Sequence, residues 1–369
     1  MRQGRKTYFA AGTVALLVLA GAGLWLGHEP LLAWYYLRGL ARSNEAERDQ
    51  WAERVAGLDR AALAPLLDLL GRDERACANA RAALDALVRR WGPGDSRGEE
   101  VSRRLSEGFA RFSPAGQREV LQFGADWLRA DGGQAPPTEV ARALARTLPE
   151  AARSADGSVR GAALDLAAAL LGRPDGAEAI GPCRELALAC FADGAAENRS
   201  RAVQLALRPG MDLQQQALPL LRDASPEVRQ MAMLLVGPAQ NVLSTDDLLH
   251  WLHDPDAEVR RLCEVALGSR KVPKAHIRLG RTLTDPDHHV RLNILDELHR
   301  ARDIDAGIWL RYLTHDPKES VRVAAVRAAV EQRFGTPVDL RDRLEQMSKT
   351  DPSQTVRQEA GHYLSQTRE

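Results

Sequence analysis

The residue types best suited to chemistry lie between positions 250 and 362, where eight of the nine histidines occur. His288 and His289 stand in "DPDHHVR" beside Asp285 and Asp287, and His250 and His253 lie three apart in "LLHWLHD". Imidazoles and carboxylates this close form donor sets for an ion such as zinc, or an acid–base pair. Register argues against a dedicated site. His315 precedes Asp316 as His253 precedes Asp254, so that position belongs to the end of a repeated unit. His288 aligns with Ala257, Glu319 and Gln354, and His289 with Glu258, Ser320 and Thr355, the residues of an exposed first turn without a fixed duty. His250, His253, His288 and His289 are the candidate metal ligands, and the expectation is that no cofactor is held.

Other catalytic signatures are missing. The chain has no G-x-x-x-x-G-K loop, no G-x-S-x-G elbow and no H-E-x-x-H helix, so it is expected not to be an enzyme. Cys77, Cys183, Cys190 and Cys263 form no C-x-x-C pair and lie in Ala/Leu-rich stretches, as small buried hydrophobes do. Acid pairs such as Asp246-Asp247 and Glu99-Glu100 fall at expected helix N-termini, where the dipole favours negative charge.

The elements that carry these residues repeat. "DPDAEVR" begins at Asp254, "DPDHHVR" at Asp285, "DPKESVR" at Asp316 and "DPSQTVR" at Asp351, while "DASPEVR" at Asp223 keeps the Asp, Val and Arg. The arginines stand at 229, 260, 291, 322 and 357, giving intervals of 31, 31, 31 and 35. Asp is a preferred N-cap and Pro suits the first helical turn, so each Asp-Pro is expected to open a helix, with Glu319 closing a capping box in one unit. The apolar stripe Val259, Leu262, Cys263, Ala266 then follows at i, i+3, i+4 and i+7. Each unit is read as a helical hairpin of about 31 residues that buries its stripe only by stacking on neighbours.

The chain has 369 residues, with 50 basic and 50 acidic side chains. Nucleic acid is an unsuitable partner for a balanced surface. With aromatic content of 5% and few β-branched runs, the expected class is all-α. Forty-five of the basic residues are Arg and five are Lys, a bias that fits high-GC bacterial coding.

Tyr8 to Gly27 carries no charge, long enough as a helix to cross about 30 Å of hydrocarbon. Arg2, Arg5 and Lys6 precede it, and Trp34, Tyr35 and Tyr36 follow. Basic residues stay cytoplasmic and aromatic rings favour the interface, which places the remainder on the extracytoplasmic (periplasmic) side. Ala20-Gly21-Ala22 offers a signal cleavage site, with secretion as the alternative, but the apolar run continues through Leu24, Trp25 and Leu26 and favours an uncleaved anchor. The expected organisation is a basic N-terminus over 1–7, an anchor helix over 8–27, a juxtamembrane amphipathic segment over 28–42, degenerate repeats over 43–222 and regular repeats over 223–369.

The Asp, Val and Arg of each unit, and runs such as "VRVAAVRAAV" from Val321, resemble HEAT repeats of the short bacterial kind also seen in phycobilisome-lyase-type proteins. The resemblance implies an α-solenoid of stacked hairpins and hydrogen-bonded ladders between neighbouring repeats. It assigns the ladder to Asp223, Arg229, Asp254, Arg260, Asp285, Arg291, Asp316, Arg322, Asp351 and Arg357. Toward the N-terminus the match fades. Val159-Arg160 is kept, "ADGAAENRSRAVQLAL" is aligned on Arg201 with Ser200 in the Val position, and little beyond a helical pattern remains around Arg81. The functional expectation is a membrane-anchored, non-catalytic scaffold for protein partners. A lyase-like or cofactor- or metal-handling protein is the alternative.

Overall fold

The computed structural model describes residues 32–92, 94–129, 136–300, 305–330 and 340–366. All regular structure among them is helical, and no strand occurs among the described residues. The expected anchor over 8–27 lies outside them, and no described helix is long and apolar enough to cross a membrane. The chain divides into two compact units between Leu213 and Gln214. That boundary falls nine residues before Asp223, where the regular repeats were expected to begin.

In the first unit, long amphipathic helices such as Glu74–Trp91, Pro114–Arg129 and Gly157–Leu171 provide the core. Each buries Ala and Leu on one face, and Phe109 and Phe123 are enclosed almost completely. Helix Glu74–Trp91 ends at Gly92, and Ser96–Gly108 follows it. Gly92 sits there at φ +85°, a conformation that a Cβ disfavours.

In the second unit the helices that follow each Asp are Pro226–Val236, Ala257–Ser269, His288–Leu292, Glu319–Val330 and Gln354–Gln366. The predicted stripe is buried, with Val259 and Cys263 at 0% exposure and Leu262 at 7%. Fully burying an aliphatic side chain is worth about 1.5–3 kcal/mol, so these stripes hold the hairpins together. A continuous core runs from Leu279 and Ile294 through Trp309 and Leu313 to Val321, Leu344 and Val356.

The helix starts differ from expectation. Ser225, Asp256 and Asp287 are the N-caps, two residues after the repeat Asp. The repeat Asp instead closes an Asx-turn, its Oδ1 accepting the N–H two residues on at 2.8–2.9 Å in all five units. Pro therefore lies in the turn in the four Asp-Pro units and does not open the helix. Glu319 forms no capping box for its own helix, which it begins; its carboxylate is hydrogen-bonded to Ser353 and Thr355 of the next repeat, which lowers its pKa.

The "DPDHHVR" unit departs furthest from its siblings. Its helix is five residues long and is followed, after Asn293, by Ile294–Arg300. Val290, at the Val position of its unit, is only half-buried, whereas Val228, Val259, Val321 and Val356 are at 0–1% exposure.

Candidate functional site

A guanidinium offers two edges, and the repeat arginines use both. Nη1 of Arg229 donates to the Asp223 and Ala224 carbonyls of its own turn. Nε and Nη2 form a fork on the Asp254 carboxylate of the next repeat, both at 2.9 Å. Arg291 does the same with Asp316 at 2.7 and 2.9 Å, and Arg322 with Asp351 at 2.9 Å twice. Asp254, Asp316 and Asp351 thus each serve as turn former, carbonyl acceptor and anion for the arginine of the preceding repeat. These pairs are buried, the arginines at 7–9% exposure and the aspartates at 7%. Fork-on-fork geometry is the strong form of such a bond, and it explains Arg in place of Lys.

The charges respond accordingly. Hydrogen bonding to Asp254 and Asp316 raises the pKa of Arg229 and Arg291 beyond the usual guanidinium value. Burial alone would raise the Asp351 carboxyl, but the Arg322 and Ser353 hydrogen bonds and the Arg322 and Arg343 charges leave it below the ordinary range.

Arg260 and Asp285 follow the same 25-residue spacing as Arg229 and Asp254, yet make no such pair. Nη1 of Arg260 reaches the Asp254 and Pro255 carbonyls at 2.7 and 3.0 Å, and its hydrogen bonds end there. Asp285 Oδ1 accepts the Asp287 N–H at 2.8 Å. Arg357 donates to the Asp351 and Pro352 carbonyls of its own turn. Asp223 holds the Ser225 N–H with its carboxylate.

The first unit carries a related rung that the sequence reading set two residues out of register. Arg160 donates Nε to Asp193 Oδ2 at 2.6 Å, and Arg199, not Arg201, donates to the Asp193 carbonyl at 2.7 Å. Counting six residues from Asp193 reaches Arg199, a signal hidden because Asn198 occupies the Val position. Asn198 is buried and donates to the Gly157 carbonyl and to Asp193. Asn79 plays a similar part, fully buried and donating to the Leu40 and Ser43 carbonyls while accepting from Arg48. Arg201 pairs instead with Asp165 and Glu197.

The histidines separate into two groups. His253 Nε2 lies 2.8 Å from the Arg281 carbonyl, so that nitrogen carries the proton, and His250 is exposed. Asp287, His288 and His289 bring one ligand atom each within 4.8 Å of one another. The two imidazole rings lie tilted by 40° with centroids 3.9 Å apart, and Asp287 Oδ1 is already engaged by the His289 N–H. The four cysteines are free and buried, and burial pushes Cys183, Cys190 and Cys263 up to about 12.

Two clefts open along the turns of the second unit. One of about 730 Å³ is mostly apolar, with Leu218, Leu221, Val242, Leu243 and Trp251 in its walls. The other, of about 390 Å³, is bounded by turns of successive repeats and includes Asp246, Leu249, Asp285, Tyr312, His315 and Asp316. His250 lines both. Burial and then a hydrogen bond to Asp246 raise the pKa of the Tyr312 phenol.

The sequence model for HEAT repeats matches residues 245–329 and 278–365, which contain the walls of the 390 Å³ cleft, so the repeats around that cleft are HEAT repeats. No curated protein matches the chain. Among solved structures, an engineered protein is similar at 15% identity and TM-score 0.35, covering 91% of this chain and 99% of its own. A structure of tubulin recruitment and assembly by microtubule polymerases with tumor overexpressed gene domain arrays is similar at 12% identity and TM-score 0.30, covering 94% and 92%.

Proposed function

We propose that this protein is a membrane-anchored HEAT-repeat scaffold that binds other proteins and catalyses no reaction. The observation that carries the reading is the pair of clefts along the turns of the second unit, one apolar and one mixed and the mixed one within the HEAT repeats, where the ladder arginines 229, 291 and 322 are committed to structural bonds. Stacked-repeat proteins commonly work by offering such extended surfaces. The charge-free run from Tyr8 to Gly27 supports the anchor. So do Trp34 and Tyr35, 57% and 54% exposed on the helix over 32–42, with Arg38 stacked 5.0 Å from the Trp34 ring. Exposed aromatic rings beside arginine suit the headgroup layer. The basic N-terminal cluster favours an extracytoplasmic, periplasmic location for the repeats.

Crosslinking in native membranes with partner identification tests the scaffold. A specific protein partner is the expected result, and none above background refutes it. Alkaline carbonate extraction tests the anchor, with recovery of the full-length chain in the soluble fraction counting against it. A metal-handling protein is the second reading, favoured by the closeness of Asp287, His288 and His289. Metal analysis of the purified full-length chain separates the two. One bound ion per chain that His288→Ala abolishes would support the second.

A further inference from the structure

Asp285 is a ladder carboxylate without a ladder arginine. Its Asx-turn matches those of Asp254 and Asp316, with the Oδ1 contact at 2.8 Å in each, so its carboxylate is held ready in the same way. Asp254 and Asp316 grip a guanidinium of the preceding repeat, whereas the bonds of Arg260 stop at its own turn. Asp285 lies in the wall of the 390 Å³ cleft, and Arg260 is not among the cleft's lining residues.

The rest of the cleft is suited to the same guest. Arg291 also lines the cleft, forked on Asp316 and with its charge close enough to act on Asp285; one cation against Asp246, Asp285 and Asp316 leaves two formal negative charges when the histidines are neutral. Leu249, Leu283 and Tyr312 supply apolar surface for an aliphatic stem. A long apolar stem ending in a planar cation describes arginine, and its fork matches a carboxylate where an ammonium does not.

We propose that this cleft receives an arginine side chain of a protein partner, which docks its guanidinium on Asp285 as Arg229 docks on Asp254. The inference rests on the protein-binding reading and names the chemistry its partner presents. The partner's arginine supplies the rung that Arg260 leaves unmade, and Asp246 with its Tyr312 bond lies alongside as a second anion.

The probe is an acetylated, amidated Ala-Leu-Arg-Leu-Ala peptide, with a citrulline counterpart that keeps the shape and removes the charge. Binding is measured by calorimetry on the full-length protein in detergent. The arginine peptide binds saturably, and the citrulline peptide binds about tenfold more weakly, as expected for loss of a charge-assisted fork. Asp285→Asn keeps the Asx-turn acceptor, so the protein folds, and it removes most of the discrimination. Arg260→Gln retains the discrimination. Equal affinity for the two peptides, or an Asp285→Asn protein that still discriminates, overturns the inference but leaves a peptide-binding surface in place. Binding of neither peptide, in wild type and Arg260→Gln alike, also overturns it. Crosslinking then decides separately whether the scaffold reading stands.

Discussion

Replacing Arg322 with Met keeps the aliphatic stem and removes the guanidinium. Four hydrogen bonds go with it, two to Asp351 at 2.9 Å and two to the Asp316 and Pro317 carbonyls at 2.8 and 3.1 Å. The larger penalty comes from what remains, because the Asp351 side chain is only 4% exposed and keeps its charge without its guanidinium, with the Ser353 N–H still bonded to it. Removing one member of a buried pair costs about 3–5 kcal/mol. Arg260→Met is the matched control. It loses the two carbonyl bonds at 2.7 and 3.0 Å and strands no carboxylate, so about 1–2 kcal/mol is expected from hydrogen bonds worth roughly 1 kcal/mol each. Urea denaturation of the full-length chain in detergent, with the slope compared between variants, gives the two values. The expected difference is roughly 1–4 kcal/mol. Arg322→Met combined with Asp351→Asn should recover much of the loss, since the stranded charge is then gone while the Asx-turn acceptor for the Ser353 N–H is kept. Equal costs for Arg322→Met and Arg260→Met, within about 0.5 kcal/mol, would refute the assignment of the rungs as coupling elements and leave them no better than surface ion pairs.

Other outcomes follow from the same geometry. Asp193 and Asp351 have carboxyls held below the ordinary range. In each, burial opposes the shift, and bonds to an arginine and a backbone N–H outweigh it. A carboxyl with a lowered folded pKa contributes its full stability above the unfolded value and loses it as pH falls through the folded one. Urea midpoints should therefore drop on acidification below the ordinary carboxylate range, and Asp351→Asn should flatten that drop. Asn198→Val brings its unit closer to the repeat pattern, yet it should destabilise by about 1–3 kcal/mol. It removes the donor to the Gly157 carbonyl and to Asp193, and thermal melts check the direction. At pH 8 a thiol reagent should label none of the four cysteines in the native protein and all four in urea, because they are buried and burial raises the thiol pKa of each.

Much of the fold can be read from local pattern. The period of 31, the apolar stripes and the helical class depend on residues within a few turns of one another, and the helices of the second unit follow them. Helix starts were less legible, because Asp-Pro followed by Ser, Lys or Asp offers two polar caps, and both N-capping and Asx-turns use the same Asp oxygen. The first unit was harder still. Asn198 replaces the apolar Val of the pattern and Asn79 is a second buried amide, and their bonds to the Gly157 and Leu40 carbonyls span 41 and 39 residues, so only the packed chain discloses why a buried position is polar.

The sequence by itself determined that this protein is a helical repeat array with arginines and aspartates at fixed stations, since helix periodicity and turn chemistry are local. Which stations pair was decided by the tertiary structure. The spacing from Arg229 to Asp254, from Arg260 to Asp285 and from Arg291 to Asp316 is the same, yet the first and third are bonded and the second is not. A fork on a carboxylate needs placement to within a few tenths of an ångström, and that depends on how neighbouring hairpins pack. The "DPDHHVR" unit, with its short helix and half-buried Val290, packs differently from its siblings, and the cleft at Asp285 accompanies that difference.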